Sequence, residues 1–286
     1  MNPYFDSQSD PIKIIRINNQ SIVEPHVHDF HELVFVFNGK AKHLINDESY
    51  DIATGDIFLI KPGIEHSYQF TKELDLVNLL YFPEKLELNL YDLIQSPGYH
   101  AFFEVEPAMR KKHGFKSRLH LGSLSLKYMK DLVKALEHEL EAPNEDSLFM
   151  SVSYFMQILS YISRSYLKVR LPEHNDVINL SELISYLEKN YMKDFSIAEL
   201  AAKASMSKIT LYRNFKKAFG VSPIEYVLAL RLNSAAILLE KTDMNISEIA
   251  RSSGFNDINY FSKQFKKRFG TSPRQHRARQ LHPLSS

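Results

Sequence analysis

Four residues in the first quarter of this 286-residue chain have types and spacing that could do chemistry: His26, His28 and Glu32, spaced His-x-His-x-x-x-Glu, and later His66. Imidazole nitrogens and a carboxylate are ligands for zinc, iron, manganese or nickel. They can equally hydrogen-bond an organic ligand without any metal. His43, Tyr68 and Asn78 lie on neighbouring segments that read as strands and are placed to point inward beside them. A few polar groups inside an otherwise apolar barrel suit a hydroxyl-rich small molecule.

A second constellation lies near the C-terminus and occurs twice. The run Phe215-Lys-Lys-Ala-Phe-Gly-Val-Ser-Pro223 returns as Phe265-Lys-Lys-Arg-Phe-Gly-Thr-Ser-Pro273, and Ile197-Ala-Glu-Leu-Ala201 returns as Ile246-Ser-Glu-Ile-Ala250. Two copies are too few for a solenoid, which needs three or more stacked units. Each copy reads as a short helix, a three-residue turn and a longer helix, turning at residues 205–207 and 254–256. Leu211 with Phe215, and Phe261 with Phe265, form i, i+4 apolar pairs on the inner face of each second helix. Lys208, Thr210, Arg213, Lys216 and Lys217 are then outward in the first copy, and Asn259, Ser262, Lys263, Lys266 and Lys267 in the second. A helix of this kind fits the major groove of double-stranded DNA. Arginine can fork onto guanine and asparagine onto adenine, while lysines take phosphates.

These residues need a scaffold, and composition bounds it. The chain is 44% hydrophobic and 24% charged, with no cysteine, so disulfides and cysteine-ligated zinc are excluded. No stretch approaches the roughly 18 apolar residues of a membrane span, and the polar N-terminus lacks a signal-peptide core; the expectation is a cytoplasmic protein with no membrane partner. The net charge of +1 conceals a split. From Ser181 onward there are 17 Lys and Arg against 9 Asp and Glu, whereas the preceding part has 18 against 25, so +8 follows −7. A basic end of this kind points to a polyanion partner.

Residues 11–82 read as short strands, with Asn38-Gly39 as a hairpin turn between Glu32–Phe37 and Lys40–Ile45. Tyr50–Ile52, Asp56–Ile60, His66–Phe70 and Asp75–Phe82 complete a sandwich or small barrel. From Ser123 the period becomes helical: Leu132, Leu136 and Leu140 mark one helix, and Leu148, Val152, Phe155, Leu159 and Ile162 a second. The leucine stripe reads as internal packing against the second helix, or as a dimer face. The proline-bearing stretch 171–176 reads as a boundary, and everything beyond is helical. The fold class is therefore multidomain α and β: a β-barrel over residues 1–105, a helical connector over 106–172 that is a candidate dimerisation region, and an all-α doubled reader over 173–286.

The run Ile246-x-x-Ile249-Ala250-x-x-x-Gly254-Phe255-x-Asp257-x-x-Tyr260-Phe261-Ser262-x-x-Phe265-Lys266-Lys267-x-Phe269-Gly270-x-Ser272-Pro273 resembles the signature of the AraC family of bacterial transcription regulators. Arg231-Leu232-x-x-Ala235-x-x-Leu238-Leu239 on the intervening helix also matches. The resemblance implies that bases are read from Ile209, Thr210, Tyr212 and Arg213, then from Ile258, Asn259, Ser262 and Lys263. It also implies a homodimer that recruits RNA polymerase. In the N-terminal part, His26 to Gly39 resembles the first cupin motif and Gly55 to His66 the second, with an extra residue before Pro62 and Phe70 where the motif has asparagine. Cupin enzymes use such a set for metal. Sensors of the AraC family commonly keep the histidines while binding a small molecule, so no cofactor is expected unless His26, His28, Glu32 and His66 are metallated. Residues 28–34, 76–81 and 83–86 resemble the rhamnose-responsive members, which implies a sugar effector, with L-rhamnose as the named candidate.

The reading is a ligand-responsive activator of transcription and not an enzyme. Its rivals are a metal-dependent cupin enzyme fused to a DNA-binding module, and a DNA-binding architectural protein without a ligand.

Overall fold

The computed structural model describes residues 11–46, 48–86, 93, 95–113, 118–141, 143–169 and 175–281. Most of the stretch 171–176, expected as a boundary, lies outside them. The chain divides into two compact units between Ser181 and Glu182.

Among the described residues, the first unit is built on one antiparallel sheet of seven strands: β1 (Ile12–Ile17), β2 (Val23–His26), β3 (His31–Ile45), β4 (Glu48–Ala53), β5 (Asp56–Ile60), β6 (His66–Tyr81) and β7 (Leu119–His120). Their order is β1-β6-β3-β5-β7, with β2 also pairing β6 and β4 also pairing β3. The hairpin expected at Asn38-Gly39 is not formed. Strand β3 runs through both residues, and the segments read as two strands are halves of one bent strand. Segments 66–70 and 75–82 likewise merge into β6.

The physical reason is that β3 and β6 pair along their whole length, with register shifts between residues 36 and 42. A bulge bends the pair at that place. Gly39 sits in it at φ 79°, where an added Cβ would lie 2.2 Å from the Glu73 carbonyl oxygen, so the glycine marks close backbone approach and not a turn. Beyond the bend β3 exchanges partners, from β5 at residues 32–35 to β4 at residues 40–45. The two halves enclose a core that includes Val34, Val36, Ile52, Phe58, Ile60, Tyr68 and Leu76.

Helical residues begin before residue 106, where the helical connector was expected to start. Pro97–Tyr99, a π turn over His100–Val105 and α1 (Glu106–His113) run without a break across residue 105. Then come α2 (Ser123–Glu141) and α3 (Ser147–Tyr166). Leu132 and Leu136 of α2 are buried, as are Phe155, Leu159 and Ile162 of α3, which is the internal packing expected for the stripe. Leu148 departs from it, being 64% exposed.

Helix α4 (Asn175–Asn190) crosses the division between the units. The second unit continues with α5 (Ile197–Lys203), α6 (Lys208–Phe219), α7 (Pro223–Lys241), α8 (Ile246–Ser252), α9 (Ile258–Phe269) and α10 (Pro273–Leu281). Each start carries a local cap. Ser196, Ser222 and Asn245 form capping boxes with Glu199, Glu225 and Glu248, a device that satisfies two orphan amides and is worth about 1 kcal/mol per cap. Gly220 and Gly270 end α6 and α9 in the left-handed conformation, at φ 73° and 76°. No single helix among the described residues is long and apolar enough to cross a membrane.

Candidate nucleic-acid interface and effector pocket

In the second unit α5–α6 and α8–α9 are the two helix-turn-helix pairs. Ser207 caps α6, its hydroxyl accepting from the Thr210 amide at 3.1 Å. Asp257 caps α9, accepting from the amides of Asn259 and Tyr260 at 2.7 and 3.1 Å. Leu211, Asn214 and Phe215 bury the inner side of α6, and Phe261 and Phe265 that of α9. Lys208, Ile209, Tyr212, Arg213, Lys216 and Lys217 are exposed on α6; Ile258, Asn259, Lys263, Lys266 and Lys267 are exposed on α9.

Two of the residues read as base contacts are less open. Thr210 is half-buried and its hydroxyl lies 2.9 Å from that of Ser207, so it serves the cap; Ser262 is also half-buried. Tyr260, 48% exposed beside Asn259, was not singled out from sequence. In the register of the repeat it stands where α6 has Thr210, while the exposed Tyr212 corresponds to Ser262, so the repeat gave no signal for it.

The turn of the second pair is held from outside. Gly254 has φ 86°, and a Cβ on it would come within 2.8 Å of Met192 Cα. Arg231 on α7 donates to the carbonyls of Tyr191 and Lys193, both at 2.7 Å, so the loop after α4 docks against α7 and this turn.

In the first unit, strand register gathers the polar residues. His26 stands opposite His66, Tyr68 lies between Val23 and His43, and Asn78 lies between Ile15 and Val34. A cavity of about 130 Å³ is lined by His26, His28, Glu32, His66, Tyr68 and Asn78, with apolar walls from Ile15, Ile17, Val23, Phe30 and Leu80. His43 is fully buried but does not line the cavity; its ring stacks behind Tyr68 at 4.9 Å and lies 4.7 Å from Phe58. The walls from β1 were missed, although alternation of Ile12, Ile14 with Ile15, Ile17 signals a strand with both faces apolar.

Glu32 is the hub. His28 Nε2 is 2.8 Å and His66 Nε2 3.4 Å from its Oε2. Burial alone would push the Glu32 carboxyl up, yet the hydrogen bonds from His28 and His66 outweigh it and hold it at about 2. Burial lowers His26, helped by nearby His66. It holds His43 well below the ordinary histidine value, with His66 and Arg110 adding to the effect, and raises Tyr68 well above the usual phenol range.

His26, His28 and His66 each place Nδ1 against a main-chain carbonyl, of Glu24, Phe30 and Ile64, at 3.0, 2.8 and 3.2 Å. That arrangement turns Nε2 inward, as in orienting shells of metal-binding imidazoles. The ligand atoms of His28, Glu32 and His66 lie within 4.8 Å of one another, so this donor set fits a divalent ion. These three residues would hold it, and it would supply a Lewis acid for ligand oxygens.

Comparison with known proteins decides the lineage. The model of the AraC-like ligand binding domain matches residues 13–159, and a helix-turn-helix domain model matches residues 200–279. The chain belongs to the AraC family. It is similar to the HTH-type transcriptional activator RhaR of Mannheimia succiniciproducens, 31% identical over 276 residues covering 96% of this chain and 95% of that protein. RhaR of Escherichia coli is 30% identical over 275 residues, covering 96% and 94%. Among solved structures, an AraC-type regulator from Chromobacterium violaceum is 34% identical over 37% of this chain and 95% of that one, with a TM-score of 0.35. ToxT from Vibrio cholerae is 14% identical over 94% of this chain and 97% of that one, also at 0.35. As an AraC-family protein the chain is a DNA-binding transcription regulator with a ligand-binding domain, and not an enzyme. The rival reading as a cupin enzyme is set aside.

Proposed function

We propose that this AraC-family protein is a sugar-responsive transcription activator. The observation that carries the effector reading is the state of the cavity: Tyr68 Oη and Asn78 Oδ1 are buried in its wall with no hydrogen-bond partner among the described residues. Buried polar atoms without partners cost about 1–3 kcal/mol each, and a ligand hydroxyl that donates to Asn78 and accepts from Tyr68 would recover that cost. His26, His28, Glu32 and His66 offer further partners, and the apolar wall from β1 would cover a carbon face. About 130 Å³ is far below the several hundred Å³ of drug-sized pockets and suits one sugar ring. Resemblance to the rhamnose-responsive members makes L-rhamnose the first candidate, and the activator names of the 30%-identical relatives support the sign of regulation.

On this reading the sensor, connector and reader occupy residues 1–105, 106–172 and 173–286, and the protein works in the cytoplasm as a homodimer. Lys208, Ile209, Tyr212, Arg213, Lys216 and Lys217 of α6, and Ile258, Asn259, Lys263, Lys266 and Lys267 of α9, face successive major grooves about one DNA turn, roughly 34 Å, apart. Thr210 and Ser262 support them. Effector binding favours one arrangement of sensor and reader by no more than its differential affinity for the two. The favoured state recruits RNA polymerase.

The experiment is thermal unfolding of the full chain with a panel of monosaccharides including L-rhamnose. A true effector at a hundredfold excess over its Kd stabilises the sensor by about 2.7 kcal/mol. A melting temperature indifferent to every sugar at millimolar concentration refutes the sugar reading.

A further inference from the structure

The two reading helices differ at matching positions. At 100° per residue, the buried Leu211, Asn214 and Phe215 put Ile209, Arg213 and Lys216 on the opposite, outermost stripe of α6. Phe261 and Phe265 put Asn259, Lys263 and Lys266 on the corresponding stripe of α9. Thus Ile209 occupies in the first reader the place that Asn259 occupies in the second.

Ile209 is 80% exposed, the most open large apolar side chain among the described residues of the second unit, in the first turn of its helix. Scattered exposed apolar residues are ordinary on protein surfaces, and exposure alone carries nothing. The location carries the argument. Ile209 shares its stripe with two cations, at the N-terminal part of the helix from which base edges are reached. It is too open to contribute to the core, and it offers no hydrogen bond. Tyr212, 47% exposed, adds apolar surface on the next turn. Among the base edges displayed in the major groove, the apolar group is the C5-methyl of thymine.

We infer that Ile209 reads a thymine C5-methyl in the half-site engaged by α6, and that the two half-sites differ in consequence. The first is selected by methyl contact beside Arg213, the second by the amide of Asn259 forked onto adenine. This rests on the assignment of α6 to the major groove.

Selection from a random duplex pool by the full-length protein, in parallel with Ile209→Ala and Ile209→Asn, tests it. The wild type enriches a thymine at one position that Ile209→Ala leaves degenerate. Replacing that thymine by deoxyuridine, which deletes only the methyl, lowers wild-type affinity about fourfold and leaves Ile209→Ala unchanged. Ile209→Asn shifts the preference at or next to that position toward adenine. Equal wild-type affinity for thymine and deoxyuridine at every selected thymine overturns the inference, as does an equal loss in wild type and Ile209→Ala. A pool from which no sequence is enriched refutes the DNA-reading assignment itself. Matching melting temperatures of the three proteins exclude a folding defect.

Discussion

Arg231 of α7 and Asn256 of the second turn meet on one carboxylate, that of Asp194, at 3.3 and 3.2 Å. The same guanidinium holds two carbonyls of the loop after α4. The arginine thereby ties the segment before the first helix-turn-helix to the turn of the second. Its side chain is only 16% exposed, so its hydrogen bonds are partly shielded from water. Arg231→Met, which keeps the stem and deletes the donors, should cost about 1.5–3 kcal/mol of stability. Its loss of affinity should be greater for DNA carrying both half-sites than for either alone. Urea unfolding and binding to the three duplexes check this.

Gly254→Ala attacks the same junction by shape. The left-handed backbone and the 2.8 Å approach to Met192 Cα leave no room for a methyl group. The expected destabilisation is about 1–3 kcal/mol, measured by the same unfolding experiment. Gly270→Ala is the comparison: its φ is 76° but nothing lies within 4 Å, so only the conformational part of the cost remains.

In the cavity, Tyr68→Phe and Asn78→Leu should behave unlike ordinary core substitutions. Each removes a buried polar atom that has no partner among the described residues, so the ligand-free protein should hold or gain stability. The effector-induced rise in melting temperature should shrink or vanish. If both variants keep the full rise, those atoms do not touch the effector.

On the DNA side, Arg213→Ala should lose roughly 1–3 kcal/mol at its cognate site and relax the preference there. Lys266→Ala should weaken binding to all sequences and reduce the salt slope by about one. Uniform weakening by Arg213→Ala would make it a phosphate contact.

The stability of the first unit should fall as the pH drops below the ordinary histidine value of 6.5, through buried His43. Its folded pKa lies well below that value because burial, with His66 and Arg110, opposes the charged form. The unfolded chain therefore takes up a proton that the folded chain refuses, and unfolding becomes easier toward acid. His43→Phe should flatten the dependence of unfolding free energy on pH between 7 and 5.

The helical half was legible down to the turns at residues 205–207 and 254–256, which separate α5 from α6 and α8 from α9. Ser222, Gly220 and Gly270 announce helix ends through interactions inside one turn, and the repeat displays the same local solution twice. The sheet was legible only as a set of strand segments. Alternation says which side chains share a face, but Asn38-Gly39 reads the same way in a hairpin turn and in a bulge. The choice depends on Glu73, more than thirty residues away.

By itself, then, the sequence determined the doubled reader, its charge and the polar residues of the sensor, because caps, helix periodicity and composition are local properties. Tertiary structure alone decided the unbroken course of β3 and β6, the exclusion of His43 from the cavity wall, and the seat of Arg231 on carbonyls some forty residues earlier. Each is a pairing between distant segments, selected by which backbones pack together once the chain has closed on itself.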